Sequence, residues 1–375
     1  MLSSWKGSSI GSTITLPDGL SLVPPSPTYA RVQCSILSLA NSWLGCFFTT
    51  ASLKRTGGLG GISSGPVEIF DRELKKAHRD RAAWLQKKED PLQVEVAERL
   101  LDRLEDCKRA FPVAGVLGGS GGAVLQRLKS GRAGIERVLY LDSSRDMLAH
   151  VRKQQGDAAE SGASFPHISY VQGEEETLPF QKHSVDLLIS NLGLHWVNDL
   201  PGAMIQCREA LKPDGLFLSA FWGGDTLQEL RIAYALAEQE VEGGLSARIS
   251  PLAQVRDAGN LLTRAGFSIP SVDTDEIVMQ YSNADDLYHH LRSMGESNAV
   301  RIRRPQVRQA TAERAAEIYA EKFGNADGSL PATFQVIYMT GWSPHERQQR
   351  AMARGSATKR FEDLQAMIEK QNKGG

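Results

Sequence analysis

Cysteine is scarce in this chain. The four in 375 residues, Cys34, Cys46, Cys107 and Cys207, are scattered without a Cys-x-x-Cys pair, which argues against a disulfide scaffold and a zinc ribbon. A surplus of either charge is also missing. Lys+Arg 43 against Asp+Glu 44 leaves a net charge of -1, so no whole-chain field draws nucleic acid or anionic lipid. Acids are nearly absent from the first 67 residues, where Asp18 stands against Lys6, Arg31, Lys54 and Arg55 amid serine and glycine, the composition of a transit peptide. Residues 32–53 carry no charge, yet Gln33, Ser35, Ser38, Asn41, Ser42 and Thr49 dilute the apolar run below what a membrane span of about 20 residues requires. Glycines and serines over 57–65, followed by Pro66, form a flexible break. What is present, 41% hydrophobic and 23% charged residues, is the composition of a globular protein.

Beyond residue 67 the chain first reads as two charged helices broken at Asp90-Pro91. Short β-type runs then alternate with helical stretches: strands at 113–117, 138–141, 168–171, 185–189 and 216–221, helices at 123–128, 144–155 and 200–211. Such alternation predicts a doubly wound, mostly parallel sheet of the α/β class. Lys212-Pro213-Asp214-Gly215 reads as a turn, helices follow at 227–242 and 252–264, and Gly266 is placed as a C-terminal stop. Two later strands, 276–281 and 333–340, enclose helices near 284–294 and 311–323. The expected organisation is a transit peptide and linker over 1–65, a helical lead-in over 66–110, a nucleotide-binding core over 111–225, substrate-side helices and terminal strands over 226–345, and a tail over 346–375.

Gly118-Gly119-Ser120-Gly121-Gly122 follows the first core strand, where a nucleotide-type ligand meets backbone N–H groups and a helix N-terminus; plain tight-turn glycines are the alternative. The second strand ends in Asp142, placed to accept from ribose hydroxyls or to cap the next helix. After the third strand, Glu174 and Glu175 stand where an adenine amino group would sit, or form a solvated acidic loop. Asn191 through Trp196 close the fourth strand at its C-terminal end.

These runs, with Leu178-Pro179-Phe180 and Val185-Asp186-Leu187-Leu188-Ile189-Ser190-Asn191, resemble class I S-adenosylmethionine-dependent methyltransferases. Leu194-His195-Trp196-Val197-Asn198-Asp199-Leu200-Pro201, Gly223-Gly224-Asp225-Thr226-Leu227 and Met294-Gly295-Glu296-Ser297-Asn298 narrow the resemblance to the mitochondrial complex I assembly factor 5 family, itself similar to the biotin-synthesis O-methyltransferases. The resemblance implies a seven-stranded class I methyltransferase sheet and S-adenosylmethionine held by Gly118, Ser120, Gly122, Asp142, Glu174, Glu175 and Asn191. It also implies a matrix-side role in complex I assembly, through hydroxylation of an arginine on an iron–sulfur subunit. Methyl transfer to a carboxylate, or a non-catalytic chaperone role, are the alternatives. Peripheral contact with the inner membrane is expected, and neither nucleic acid nor a metal. The family's first motif carries an acid where Val116 stands and a central glycine where Ser120 stands, so cofactor binding is expected to be weakened or lost.

For chemistry, His195 is the candidate base, with packing beside a helix start as the alternative. Asp225, Glu229 and Arg231 follow the fifth strand; Asp225 is the expected helix cap, and the Arg231 guanidinium could clamp a carboxylate. Asp273, Asp275 and Glu276 could receive an arginine side chain. His78-Arg79-Asp80 matches kinase and iron-oxygenase triplets but sits in a charged helix without a third ligand, and is read as chance. Arg301, Arg303, Arg304 and Arg308 read as a solvated or protein-docking loop.

Overall fold

The computed structural model describes residues 14–15, 21–23, 68–86, 89–128, 131–304, 306–349 and 355. The expected transit peptide and the uncharged 32–53 run lie outside the described residues, apart from two short strand pieces, and most of the tail lies outside them as well. The chain divides into Met1–Ser343 and a second unit, Pro344–Gly375.

The lead-in is two helices, α1 (Arg72–Leu85) and α2 (Pro91–Glu105), as the break at Asp90-Pro91 predicts. Asp71 and Asp90 accept from the backbone N–H of Leu74 and Gln93, and proline follows Asp90 at the first position of α2, where its missing N–H costs nothing. The two helices bury different faces. That of α2 is apolar, through Leu92, Val96, Leu100, Leu101 and Leu104, whereas that of α1 is Lys75, His78, Arg79, Ala82 and Ala83.

The sheet combines two short strands, β1 (Ile14–Thr15) and β2 (Ser21–Val23), with β3 (Val113–Leu117), β4 (Arg137–Asp142), β5 (His167–Gln172), β6 (Val185–Asn191), β7 (Leu211–Trp222), β8 (Ser268–Tyr281) and β9 (Leu330–Trp342). Their order is β1-β2-β8-β9-β7-β6-β3-β4-β5. From β5 to β7 the pairing is parallel; β9 runs antiparallel to both β7 and β8. The seven strands from β3 to β9 are thus the expected mostly parallel, doubly wound sheet. Its order reverses at β3 and β6, where such sheets open a ligand crevice at the C-terminal strand ends. Helices α3 (Gly121–Arg127), α4 (Arg145–Glu160), α5 (Leu200–Ala210), α6 (Gln228–Glu242), α7 (Val255–Ala265), α8 (Ala284–Met294) and α9 (Gln309–Phe323) complete the layers.

Two expectations shift. Residues 212–215 belong to the irregular start of β7, where the register jumps from Val185↔Leu211 to Leu187↔Leu216 and Asp214 takes a positive φ of 64°. Backbone hydrogen bonds, not the apolar pattern, extend β8 back to Ser268 and β9 to Leu330 and Trp342: the outer part of β8 is largely exposed and shows no β alternation in sequence. Gly266 takes the left-handed conformation that ends α7, as expected.

Candidate functional site

The turn after β3 lies against the end of β6. Gly118 and Gly119 have φ of 31° and 53°, and a side chain on Gly119 would run into the Asn191–Leu192 backbone. Ser120 donates its N–H to the Asn191 carbonyl at 2.7 Å, and the Asn191 amide Nδ2 lies 3.5 Å from the Ser120 carbonyl. Gly122 makes room for Val151 of α4, a packing role. Val116 is fully buried between Tyr140 and Ile189 of the neighbouring strands.

Helix α1 lies across this crevice and fills it with charge. Arg72, Lys75 and Arg79 lie at i, i+3 and i+7, so they share one face. The Arg79 guanidinium is bidentate on the fully buried Asp142, its Nε donating at 3.1 Å. Asp142 also accepts from the Tyr140 hydroxyl at 3.2 Å and from the Ser144 N–H at 2.8 Å; Ser144, not Asp142, caps α4. Arg72 donates to Glu174 at 2.7 Å, to the buried Glu175, and to the Trp196 carbonyl at 3.1 Å. Lys75 donates to the Gly295 carbonyl at 2.7 Å and to Glu296 at 3.1 Å, with its ammonium 3.7 Å from the centre of the Trp196 ring. The triplet read as chance is therefore structural, since Arg79 holds Asp142 and Asp80 accepts from Ser144 at 2.5 Å. Nothing in its spacing reveals this, because its partners lie more than 60 residues away.

Glu296 is the centre of a second constellation. Besides Lys75 it accepts from Trp196 Nε1 at 2.9 Å and pairs with His195 Nε2 at 3.0 Å. Burial raises the Glu296 carboxyl, but Lys75 and His195 together hold it well below the usual carboxylate range. Burial pushes the Lys75 ammonium down to about 8 against the pull of Glu296. Burial likewise lowers His195, which Glu296 opposes, so the ring is neutral near pH 7. An ionised carboxylate only accepts, so Nε2 carries the proton and Nδ1, which makes no hydrogen bond, is the bare acceptor. Glu296 was not among the residues singled out in the sequence; only its place in the Met294–Asn298 run marked it.

His195, Trp196 and Glu296 line a cavity of about 500 Å³ whose wall includes Trp222, Tyr234, Tyr288 and Phe334. The other three candidates do not join His195 there. Asp225 is not the α6 cap but accepts from Gln335 Nε2 at 3.0 Å. Glu229 is buried and accepts from the Thr333 hydroxyl and N–H, tying α6 to β9, and burial raises its pKa. Arg231 is half-buried with no ion-pair partner among the described residues, and burial lowers its pKa. Asp273 and Asp275 do receive arginines, but the chain's own, Arg103 and Arg99 of α2. The basic loop is likewise consumed internally, Arg301 by Glu68, Arg303 by Asp71 and Arg304 by Glu242. Among the described residues no metal-holding cluster of His, Cys, Asp and Glu occurs, and no helix is long and apolar enough to cross a membrane.

The sheet order and glycine turn define a protein of class I methyltransferase fold, and residues 116–219 match the family model for a methyltransferase domain. The human "Arginine-hydroxylase NDUFAF5, mitochondrial" is 43% identical over 307 residues, 81% of this chain and 86% of that protein. The chain belongs to the NDUFAF5 arginine-hydroxylase family. A "Malonyl-[acyl-carrier protein] O-methyltransferase" of Xylella fastidiosa is 32% identical over 278 residues, 74% of this chain and 89% of that one. Among solved structures the YcgJ protein of Bacillus subtilis superposes with a TM-score of 0.46 at 16% identity, covering 67% of this chain and 99% of that one.

The methyltransferase fold implies S-adenosylmethionine, and the crevice does not fit it in this arrangement. A small cavity of about 30 Å³ lies between the glycine turn and α1, lined by Arg79, Ser120, Gly122 and Met147. Arg79 holds the ribose acid, Glu175 sits against Gly118, and Val116 offers no acceptor for an ammonium group.

Proposed function

We propose that this protein hydroxylates an arginine of an iron–sulfur subunit of respiratory complex I during assembly, on the matrix side of the inner mitochondrial membrane, a conversion of C–H to C–OH whose oxygen atom and two-electron oxidation an external oxidant of the dioxygen class supplies. The observation that carries the reading is the Glu296–His195 pair beside an aromatic-walled cavity of about 500 Å³, within the range of ligand pockets. The methylenes of an arginine side chain pack well on the faces of Trp222, Tyr234 and Phe334. Asp285, on the same cavity wall and without an ion pair among the described residues, offers a carboxylate to the guanidinium. In this reading the chain's residues bind and orient the arginine, and His195, fixed in one tautomer by Glu296, accepts a proton at Nδ1. No step passes through S-adenosylmethionine. Near-zero net charge and a basic loop paired to the chain's own acids speak against a nucleic-acid partner, while the acid-poor first 67 residues support import.

The test is to replace the native protein with His195→Ala or Glu296→Gln and to follow one added oxygen on the iron–sulfur subunit's arginine by peptide mass spectrometry. Both variants should lose the modification. Full modification in both would leave a scaffold role, which the filled crevice also suits.

A further inference from the structure

The docking face of α1 is unusually polar for a packed helix. Its buried side chains are Lys75, His78 and Arg79 with two alanines, so charge rather than apolar area seats this helix. The crevice beneath brings together five carboxylates, Asp142, Glu174, Glu175, Glu176 and Glu296, with ring faces and carbonyls, and α1 answers them with three cations. Each cation sits in a built recess: two carboxylates and the Trp196 carbonyl around Arg72; a carboxylate, a carbonyl and the Trp196 ring around Lys75; a bidentate carboxylate under Arg79. The fit is incomplete, because Arg72 Nε, His195 Nδ1 and Asn191 Oδ1 are buried without a hydrogen bond. Unmet buried groups destabilise the docked state.

We propose that α1 is an internal pseudosubstrate: its Arg72, Lys75 and Arg79 occupy acidic recesses that receive the cations flanking the target arginine in a basic segment of the partner, which displaces the helix as it docks beside the open cavity. The inference rests on the arginine reading above and adds to it both a substrate class, a segment with cations about one helical turn apart, and a built-in restraint on access. A crevice with five carboxylates and no α1 attracts cations strongly, and the same attraction holds α1 until a better-fitting basic segment competes.

The test uses the full chain and a synthetic copy of residues 70–86 as the basic probe, with a control copy carrying glutamate at the three cationic positions. Hydrogen exchange of the wild type should rise across 72–85 when the basic probe is added and stay unchanged with the control. The variant Arg72→Gln/Lys75→Gln should bind the probe at least tenfold more tightly by calorimetry; because the exchange experiment needs only wild type, a poorly folding variant leaves the test intact. Binding of the probe without faster exchange in α1, or no binding by either protein, overturns the inference. So does release of α1 by S-adenosylhomocysteine but not by the basic probe, which would make the recesses a nucleotide site. Loss of arginine modification in His195→Ala with α1 unresponsive to the probe would leave the proposed function standing and remove only the pseudosubstrate.

Discussion

Arg79→Met removes one partner of a fully buried ion pair. Asp142 would keep the Tyr140 hydroxyl and the Ser144 N–H, two of its donors, but lose the bidentate guanidinium that balances its charge. Breaking a buried pair from one side costs about 3–5 kcal/mol, because the remaining charge stays desolvated. For a domain of this size, at about 2 °C per kcal/mol, that lowers the melting temperature by roughly 6–10 °C. Removing both charges in Arg79→Met/Asp142→Asn eliminates the orphan, so the double variant should be more stable than the single, with a coupling of about 2 kcal/mol or more. Circular dichroism melts of the four proteins in the cycle measure this. A single variant within about 2 °C of wild type, or a double variant less stable than Arg79→Met, would refute the view that Arg79 and Asp142 neutralise each other.

Val116→Asp, which restores the family's acid, should lower stability by roughly 2–5 kcal/mol, since the site is fully buried among apolar strands. It should gain no S-adenosylmethionine affinity by calorimetry, and tighter binding would contradict the packing reading. Acid should weaken the fold between pH 6.5 and about 4. Burial, aided by Lys75 and Arg81, pushes His78 down to about 4, so the unfolded chain takes up a proton that the folded one refuses, and stability present above 6.5 is lost on acidification. A melting temperature that is the same at pH 7.5 and pH 5 would count against this, and His78→Gln should flatten the dependence. Lys75→Met removes a cation that disfavours protonated His195 while leaving Glu296 in place, so the His195 pKa should rise; a histidine titration followed by NMR that shows no change, or a fall, would dissociate the two residues.

Much of the architecture was legible in the residues. Short apolar runs alternating with amphipathic stretches specify local period, and period specifies strand or helix whatever the neighbours are, so the five parallel strands and the break at Asp90-Pro91 could be read directly. Gly118 and Gly119 were legible for the same reason: their positive φ is a local demand. The acids Asp142, Glu174 and Glu175 were recognisable by position after their strands, but not what they bind. Their partners lie in α1, 63 residues before Asp142 and 102 and 103 before the two glutamates, and no spacing rule links residues so far apart. The same holds for Asp225 and Glu229, which looked catalytic on a helix start and turn out to tie α6 to β9 through Gln335 and Thr333. Local sequence thus determined the elements, the glycine turn and the identity of the acids. Only the tertiary structure decided that the acids at the crevice are neutralised from within by α1 and that His195 is joined to Glu296, because charge pairing in a desolvated crevice depends on which distant segments the fold brings together.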